Sequence, residues 1–147
     1  MELRTASAVI GFAESLETGS AKFYEAAAPR FAGLAASFQD FAKENGKNVQ
    51  AIKRAYYSVI SDALETGFSF QDLTTEPYLI ETDLSQSAGA ADILKIAVAN
   101  ETRIESFYRH AAKCSETLLA DLPRVFKRIA NSREKRKSAL LEGLEKI

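Results

Sequence analysis

The sequence predicts an all-α protein, a four-helix up-down bundle with one long crossover between its second and third helices. Three observations carry that expectation. Apolar residues recur at helical spacing over four long stretches. β-Branched residues never alternate with polar ones for more than a few positions, so strand signals are almost absent. The four stretches are joined by a short, a long and a short connection, the pattern of a bundle with a single crossover. With 147 residues, 46% of them apolar, and only seven Gly and three Pro, the chain 1–147 reads as one domain able to bury its own core.

The first helix is expected to start after Thr5, a side-chain cap, and to end near Ala28, because Pro29 forbids continuation of the preceding turn. The second is expected from about Phe31 to Leu64, stopping before Gly67. It contains "NGKN" at 45–48, a strong turn signal, since Asn and Gly tolerate positive φ. Phe38, Phe41, Val49, Ile52 and Tyr56 nevertheless keep a helical spacing straight through it, which predicts an unbroken helix with Asn45, Gly46 and Asn48 on its inward stripe. Residues 66–86 lack helical period. Their Phe68, Phe70, Leu73, Tyr78 and Ile80 are expected to lie against the bundle, as a packed crossover. The third helix is expected over 87–117. The fourth should begin with Asp121 as cap and Pro123 in its first turn, and continue to the C-terminus.

Composition removes several function classes. Nineteen basic against twenty acidic side chains give no overall field for nucleic acid or an anionic membrane. The start "MELRTASAVIGFAESLE" meets an acid and a base at once and reaches Glu14 before a long apolar run can build. No signal peptide or spanning helix is expected, and the predicted location is cytoplasmic. Cys114 is alone, which leaves no intrachain disulfide, no Cys-x-x-Cys metal site and no haem attachment; a small buried side chain is its expected role. Gly-rich phosphate loops, nucleophile elbows and Cys-His pairings are missing, so nucleotide binding and nucleophilic hydrolysis have no motif. The fourth helix carries Arg124, Lys127, Arg128, Lys135 and Lys137, read as a solvated basic strip, with a nucleic acid or acidic protein as the minor alternative.

The two predicted hairpins resemble each other. "LETGSAKFYEAAA" at 16–28 aligns with "NETRIESFYRHAA" at 100–112, and "FQDFAKENGKNVQAI" at 38–52 with "FKRIANSREKRKSAL" at 126–140. An internal duplication is the economical reading. Glu17 shares the inward face of its helix with Ile10 and Tyr24, and Glu101 is placed the same way among Leu94, Ala97, Val98, Ile104 and Tyr108. Asn45 and Asn48 fall between Phe41 and Ile52, while Arg133 and Arg136 fall between Ile129 and Leu140. These six polar residues are expected to meet at one level of the core.

The paired "E…FY..AA" helices, each followed by an "F..A" helix, resemble the rubrerythrin-like branch of the ferritin-like superfamily over most of the chain. The resemblance implies the ferritin-like topology, and a dinuclear metal centre built from single Glu residues on the first and third helices and Glu-x-x-His pairs on the second and fourth. By register, Glu17 and Glu101 match the single-Glu positions, and Tyr24 and Tyr108 match tyrosines beside the centre. The Glu-x-x-His positions hold Asn45 and Asn48, and Arg133 and Arg136. Asn is a poor substitute ligand and a guanidinium repels a cation, so no metal and no cofactor is expected. The sole histidine, His110, lies nine residues past Glu101, about 180° round the helix, and faces away from it. Two buried carboxylates without metal would be costly, which predicts a Glu17, Glu101, Arg133, Arg136 network completed by the two Asn.

The expected function is therefore that of a protein that has lost its dinuclear centre and serves as a non-catalytic binding, structural or regulatory module, with a homodimer as the expected assembly. The alternative is a divergent iron or manganese oxidoreductase of the rubrerythrin type, with Glu14, Glu17, Glu44, Glu101, Glu105 or Glu134 supplying an unorthodox site.

Overall fold

The computed structural model describes residues 1–59, 69–117 and 121–147. They form four long helices, α1 (Ala6–Ala27), α2 (Ala35–Val59), α3 (Ala90–Cys114) and α4 (Leu122–Glu145), with three single 3-10 turns. No strand occurs among the described residues; the extended backbone near Glu2 and Thr74 makes one isolated bridge.

Local chemistry accounts for the helix ends. Thr5 is extended and its Oγ1 accepts from the Ala8 N–H at 3.1 Å, so the predicted cap starts α1. The chain after α1 departs from expectation. Ala28–Arg30, which contains Pro29, and Ala32–Leu34 are two 3-10 turns separated by Phe31 at φ −143°, ψ 80°, so the second helix becomes α-helical only at Ala35. Its expected end at Leu64, like Phe68, lies outside the described residues. α3 begins after Gly89, whose N–H donates to Asp92 at 3.3 Å. At α4 the expected Asp121 cap is corrected: the Asp121 carboxylate makes no capping bond and turns instead toward Arg124 at 3.4 Å. Pro123 occupies the first turn as expected.

Neighbouring helices run antiparallel. Glu14 meets Lys53 and Tyr24 meets Phe41 across α1 and α2, whereas Tyr24 meets Glu101 and Tyr108 meets Glu17 across α1 and α3. Glu101 meets Arg133 and Arg109 meets Asn131 across α3 and α4. The stretch 69–89 is irregular apart from the 3-10 turn Glu76–Tyr78. Phe70 and Leu73 bond the backbone of Arg4 and Leu3 before α1, while the carbonyls of Ser85, Gln86 and Ala88 accept from the Arg30 guanidinium just beyond its end. Between these points the buried Asn100 of α3 clasps the Glu81 backbone by N–H and C=O. A Cβ at Gly19 would stand 3.0 Å from Thr82 Cγ2, so the stretch passes close to α1 where that helix has no side chain. Phe70 and Leu73 are buried and Tyr78 and Ile80 partly so, as expected of an apolar set facing the helices.

Buried apolar residues fall into two clusters. One gathers Ile10, Ala13, Ile52, Ile104, Phe107 and Ile129; the other gathers Phe23, Ala27, Phe38, Ile93, Leu94 and Leu140. On every helix the residues between the two sets include the buried polar ones: Glu17 and Ser20, Asn45, Asn100 and Glu101, Arg133 and Arg136. The core is two apolar blocks with a polar layer between them.

Cys114 is only partly buried, contrary to expectation, because the last turn of α3 faces the irregular stretch, where its Sγ donates to the Gln71 carbonyl at 3.3 Å. No helix among the described residues is long and apolar enough to cross a membrane.

α2 runs unbroken through 45–48, since the apolar stripe outweighs one local turn signal. Gly46 is corrected in one respect. It is exposed rather than inward, because it lies about 100° round the helix from the buried Asn45. Nothing lies within 4 Å of a Cβ built there. Gly46→Ala should therefore raise the unfolding free energy by up to about 1 kcal/mol, the helix-propensity difference, read as a higher urea midpoint at unchanged m-value.

Candidate functional site

The polar layer centres on Arg133, a guanidinium with no solvent exposure held between two carboxylates with none. Its Nη2 donates to Glu17 Oε2 at 2.6 Å, and its Nη1 lies 2.7 Å from both oxygens of Glu101. One cation thus spans α1 and α3 from α4. Nη1 also reaches Ser20 Oγ at 3.1 Å and Nη2 reaches Asn45 Oδ1 at 3.1 Å.

Tyrosines complete the carboxylates reciprocally. Tyr24 of α1 donates to Glu101 Oε2 of α3, and Tyr108 of α3 donates to Glu17 Oε2 of α1, both at 3.0 Å. The residues matched between the sequence halves play equivalent parts. Asn48 Nδ2 donates to Glu17 Oε1 at 2.8 Å, so all four carboxylate oxygens of Glu17 and Glu101 accept from N–H or O–H donors. Burial, reinforced by Glu101, pushes the Tyr24 phenol well above its ordinary pKa, and burial with Glu17 does the same for Tyr108. Burial opposes the charge on Arg133, but Glu101 and Glu17 outweigh it and hold the guanidinium more firmly protonated.

Arg136 departs from the expected pairing. It is buried, yet it approaches Glu101 only at 3.7 Å and does not reach Glu17. Its Nη1 donates to Asn45 Oδ1 at 2.9 Å and its Nη2 to Glu44 Oε1 at 2.8 Å, with the guanidinium 4.6 Å from the centre of the Phe41 ring. Glu44, 42% exposed, links the layer to the surface and also accepts from the Ser132 hydroxyl at 2.7 Å. Reading the stripes missed Glu44 and Ser20 as members of this network. Glu44 is one position before Asn45 and Ser20 three positions after Glu17, and each is reached because an arginine side chain extends far from its own Cα. The structure thus brings Glu17, Asn45, Asn48, Glu101, Arg133, Arg136, Tyr24 and Tyr108 to one level and adds Ser20 and Glu44.

The remaining carboxylates considered for a metal point elsewhere. Glu14 faces Lys53 at 3.5 Å, and Glu105 and Glu134 both pair with Arg109. His110 Nδ1 lies 2.8 Å from the Tyr78 hydroxyl, directed to the irregular stretch. No group of three His, Cys, Asp or Glu among the described residues is arranged to hold a metal ion. The buried side-chain atoms in the layer with no partner among the described residues are Asn45 Nδ2, Arg133 Nε and Arg136 Nε, all nitrogens that donate and cannot ligate.

Two predictions follow from this geometry. Arg133→Met strands two buried carboxylates and should cost about 3–5 kcal/mol, the usual penalty for breaking a buried pair. Glu17→Gln should also destabilise, and the double variant should cost less than the sum; a urea double-mutant cycle with coupling near zero would contradict the observed contact. At Glu44, burial raises the carboxyl pKa, but Ser132 and Arg136 outweigh it and hold it below the ordinary 4.5. A group with a depressed folded pKa stabilises above its unfolded pKa and loses that contribution as pH falls through the folded value. Glu44→Gln should thus lower Tm at pH 7, and the deficit should begin to shrink below pH 4.5 and vanish only below the lower folded pKa.

No protein-family model, no curated protein and no solved structure matches the chain.

Proposed function

We propose that this chain is a ferritin-like protein of the rubrerythrin type in which a guanidinium–carboxylate network has replaced the dinuclear metal centre, and that it acts without catalysis, as a binding, structural or regulatory module in a cytoplasmic homodimer. The observation that carries the reading is the Arg133 guanidinium bonded to both Glu17 and Glu101. In a ferritin-like connectivity the stretch 69–89, bonded near both ends of α1, would be the crossover.

The donor set does not fit two metal ions. A divalent cation needs lone pairs, and the oxygens of Glu17 and Glu101 are already engaged by a buried cation, two phenols and an amide. Arg133 and Arg136 would repel an entering ion, and the unpartnered atoms of the layer are donors. The arrangement can hold charge and orient helices. It offers no electrophile, no free base and no open coordination position, which favours a scaffold over an oxidoreductase.

Protein purified after growth with iron and manganese should contain neither at stoichiometric level, and chelator should leave Tm unchanged. Near two metals per chain, lost on Glu17→Ala, would establish the divergent metalloprotein instead. A quadruple variant, Asn45→Glu, Asn48→His, Arg133→Glu and Arg136→His, supplies the missing ligand types at the same positions; iron bound with a carboxylate-bridged absorption band would support the descent proposed for the layer.

A further inference from the structure

Outside the core, the basic residues of α4 do not form one strip. Lys127 borders a hollow between α3 and α4 with Arg109 and Lys113. Arg124 and Arg128, one turn apart, instead face α2 across a groove of about 390 Å³, where Arg54 comes from the opposite wall. Ala51, Ala55 and Val125 also line it, so small and apolar side chains leave room beneath three guanidiniums.

Several cations elsewhere on the surface are neutralised by groups of the chain itself. Arg109 is satisfied by Glu105 and Glu134, Arg4 by Glu2, Arg30 by three carbonyls and Lys53 by Glu14. Arg54 and Arg128 have no hydrogen bond or ion pair among the described residues, and Arg124 has only Asp121 at 3.4 Å, both side chains being largely exposed. Asp121 is the one acid among the described residues lining the groove, against three arginines. Like charges gathered around a concavity repel one another, and an anion between them removes that repulsion. All three are Arg, whose fork of donors matches the oxygens of a phosphoryl group. The volume lies in the range of small-ligand sites rather than of an extended nucleic-acid track.

We propose that the groove between α2 and α4 binds the phosphoryl group of a small molecule, with Arg54, Arg124 and Arg128 donating to its oxygens and Ala51, Ala55 and Val125 lying under the remainder. This is independent of what the core layer once held, and it gives the chain a ligand class that the core does not.

Isothermal titration calorimetry of the full chain at 150 mM NaCl tests the assignment with pyrophosphate, inorganic phosphate and phenyl phosphate. Pyrophosphate should bind one per chain. Arg54→Ala and Arg128→Ala, both at exposed positions whose loss leaves the core intact, should each weaken it at least tenfold, while Arg103→Ala, away from the groove on α3, should leave it unchanged. Phenyl phosphate tighter than inorganic phosphate would assign an ester whose organic part rests on the apolar floor; equal affinities would assign a free phosphate. The proposal is overturned if none of the three probes binds at millimolar concentration, or if binding survives both variants unchanged. It is equally overturned if a single-stranded oligonucleotide displaces pyrophosphate in a manner that depends on Lys113 and Lys127, which would make the surface a nucleic-acid face.

Discussion

The structure depends on charge balance in one layer of its core. Glu17 and Glu101 are wholly buried, and a carboxylate at that depth without a cation in contact costs several kcal/mol, a large share of the stability of a typical domain. Arg133 supplies that contact to both at once. Such a network adds little stability over an apolar core of the same shape, since desolvating three ions offsets their attraction. Its consequence is geometric. The apolar blocks on either side would tolerate a helix sliding by a turn, about 5.4 Å, with modest repacking, whereas the layer would not, because any such slide strands a charge or a phenol. All four helices contribute a member, so the layer fixes their register together.

That constraint also bears on chemistry. The oxygens of Glu17 and Glu101 accept from donors of fixed direction, and the phenols of Tyr24 and Tyr108 are kept protonated by burial beside those same carboxylates. Glu44 and Asn48 are the partly exposed members of the layer; an approach from Glu44 meets the Arg136 guanidinium before any buried carboxylate, whereas Asn48 bonds Glu17 directly. On the Glu44 side that positive charge is an electrostatic barrier to protons and metal ions alike.

Much of this was legible before the fold was known, for identifiable reasons. The helices were readable because their apolar period runs through even the Asn45-Gly46 turn signal, and the inward places of Glu17 and Glu101 were readable because each is flanked at helical spacing by apolar residues. The internal match then put Asn45 and Arg133 at one level. Helix starts were less legible where backbone geometry rather than residue type decided them, as at Phe31, whose conformation delays α2 to Ala35. Asp121 has the right side chain for a cap and spends it on Arg124. Glu44 was missed because stripe reading assigns each residue to a face by its Cα, and a guanidinium reaches across faces. The gathering of Arg54 with Arg124 and Arg128 was equally hidden, since it depends on which face of α2 packs beside α4.

The asymmetry of the layer follows from the same charge argument. Two carboxylates come from equivalent positions of the two hairpins, and so do the phenols that bond them. Extending the equivalence to the second helix of each hairpin would put either four Asn or four Arg around two Glu, leaving a buried net charge of −2 or +2. Both are prohibitive at this depth. One Arg on each hairpin would also balance the sum, but the observed placement adds something that arrangement lacks. Two Arg three residues apart on α4 both donate to Asn45 Oδ1, so a single neutral oxygen on α2 anchors two cations and ties α2 to α4. Neutrality forbids the fully symmetric solutions, and hydrogen-bond geometry selects among those that remain.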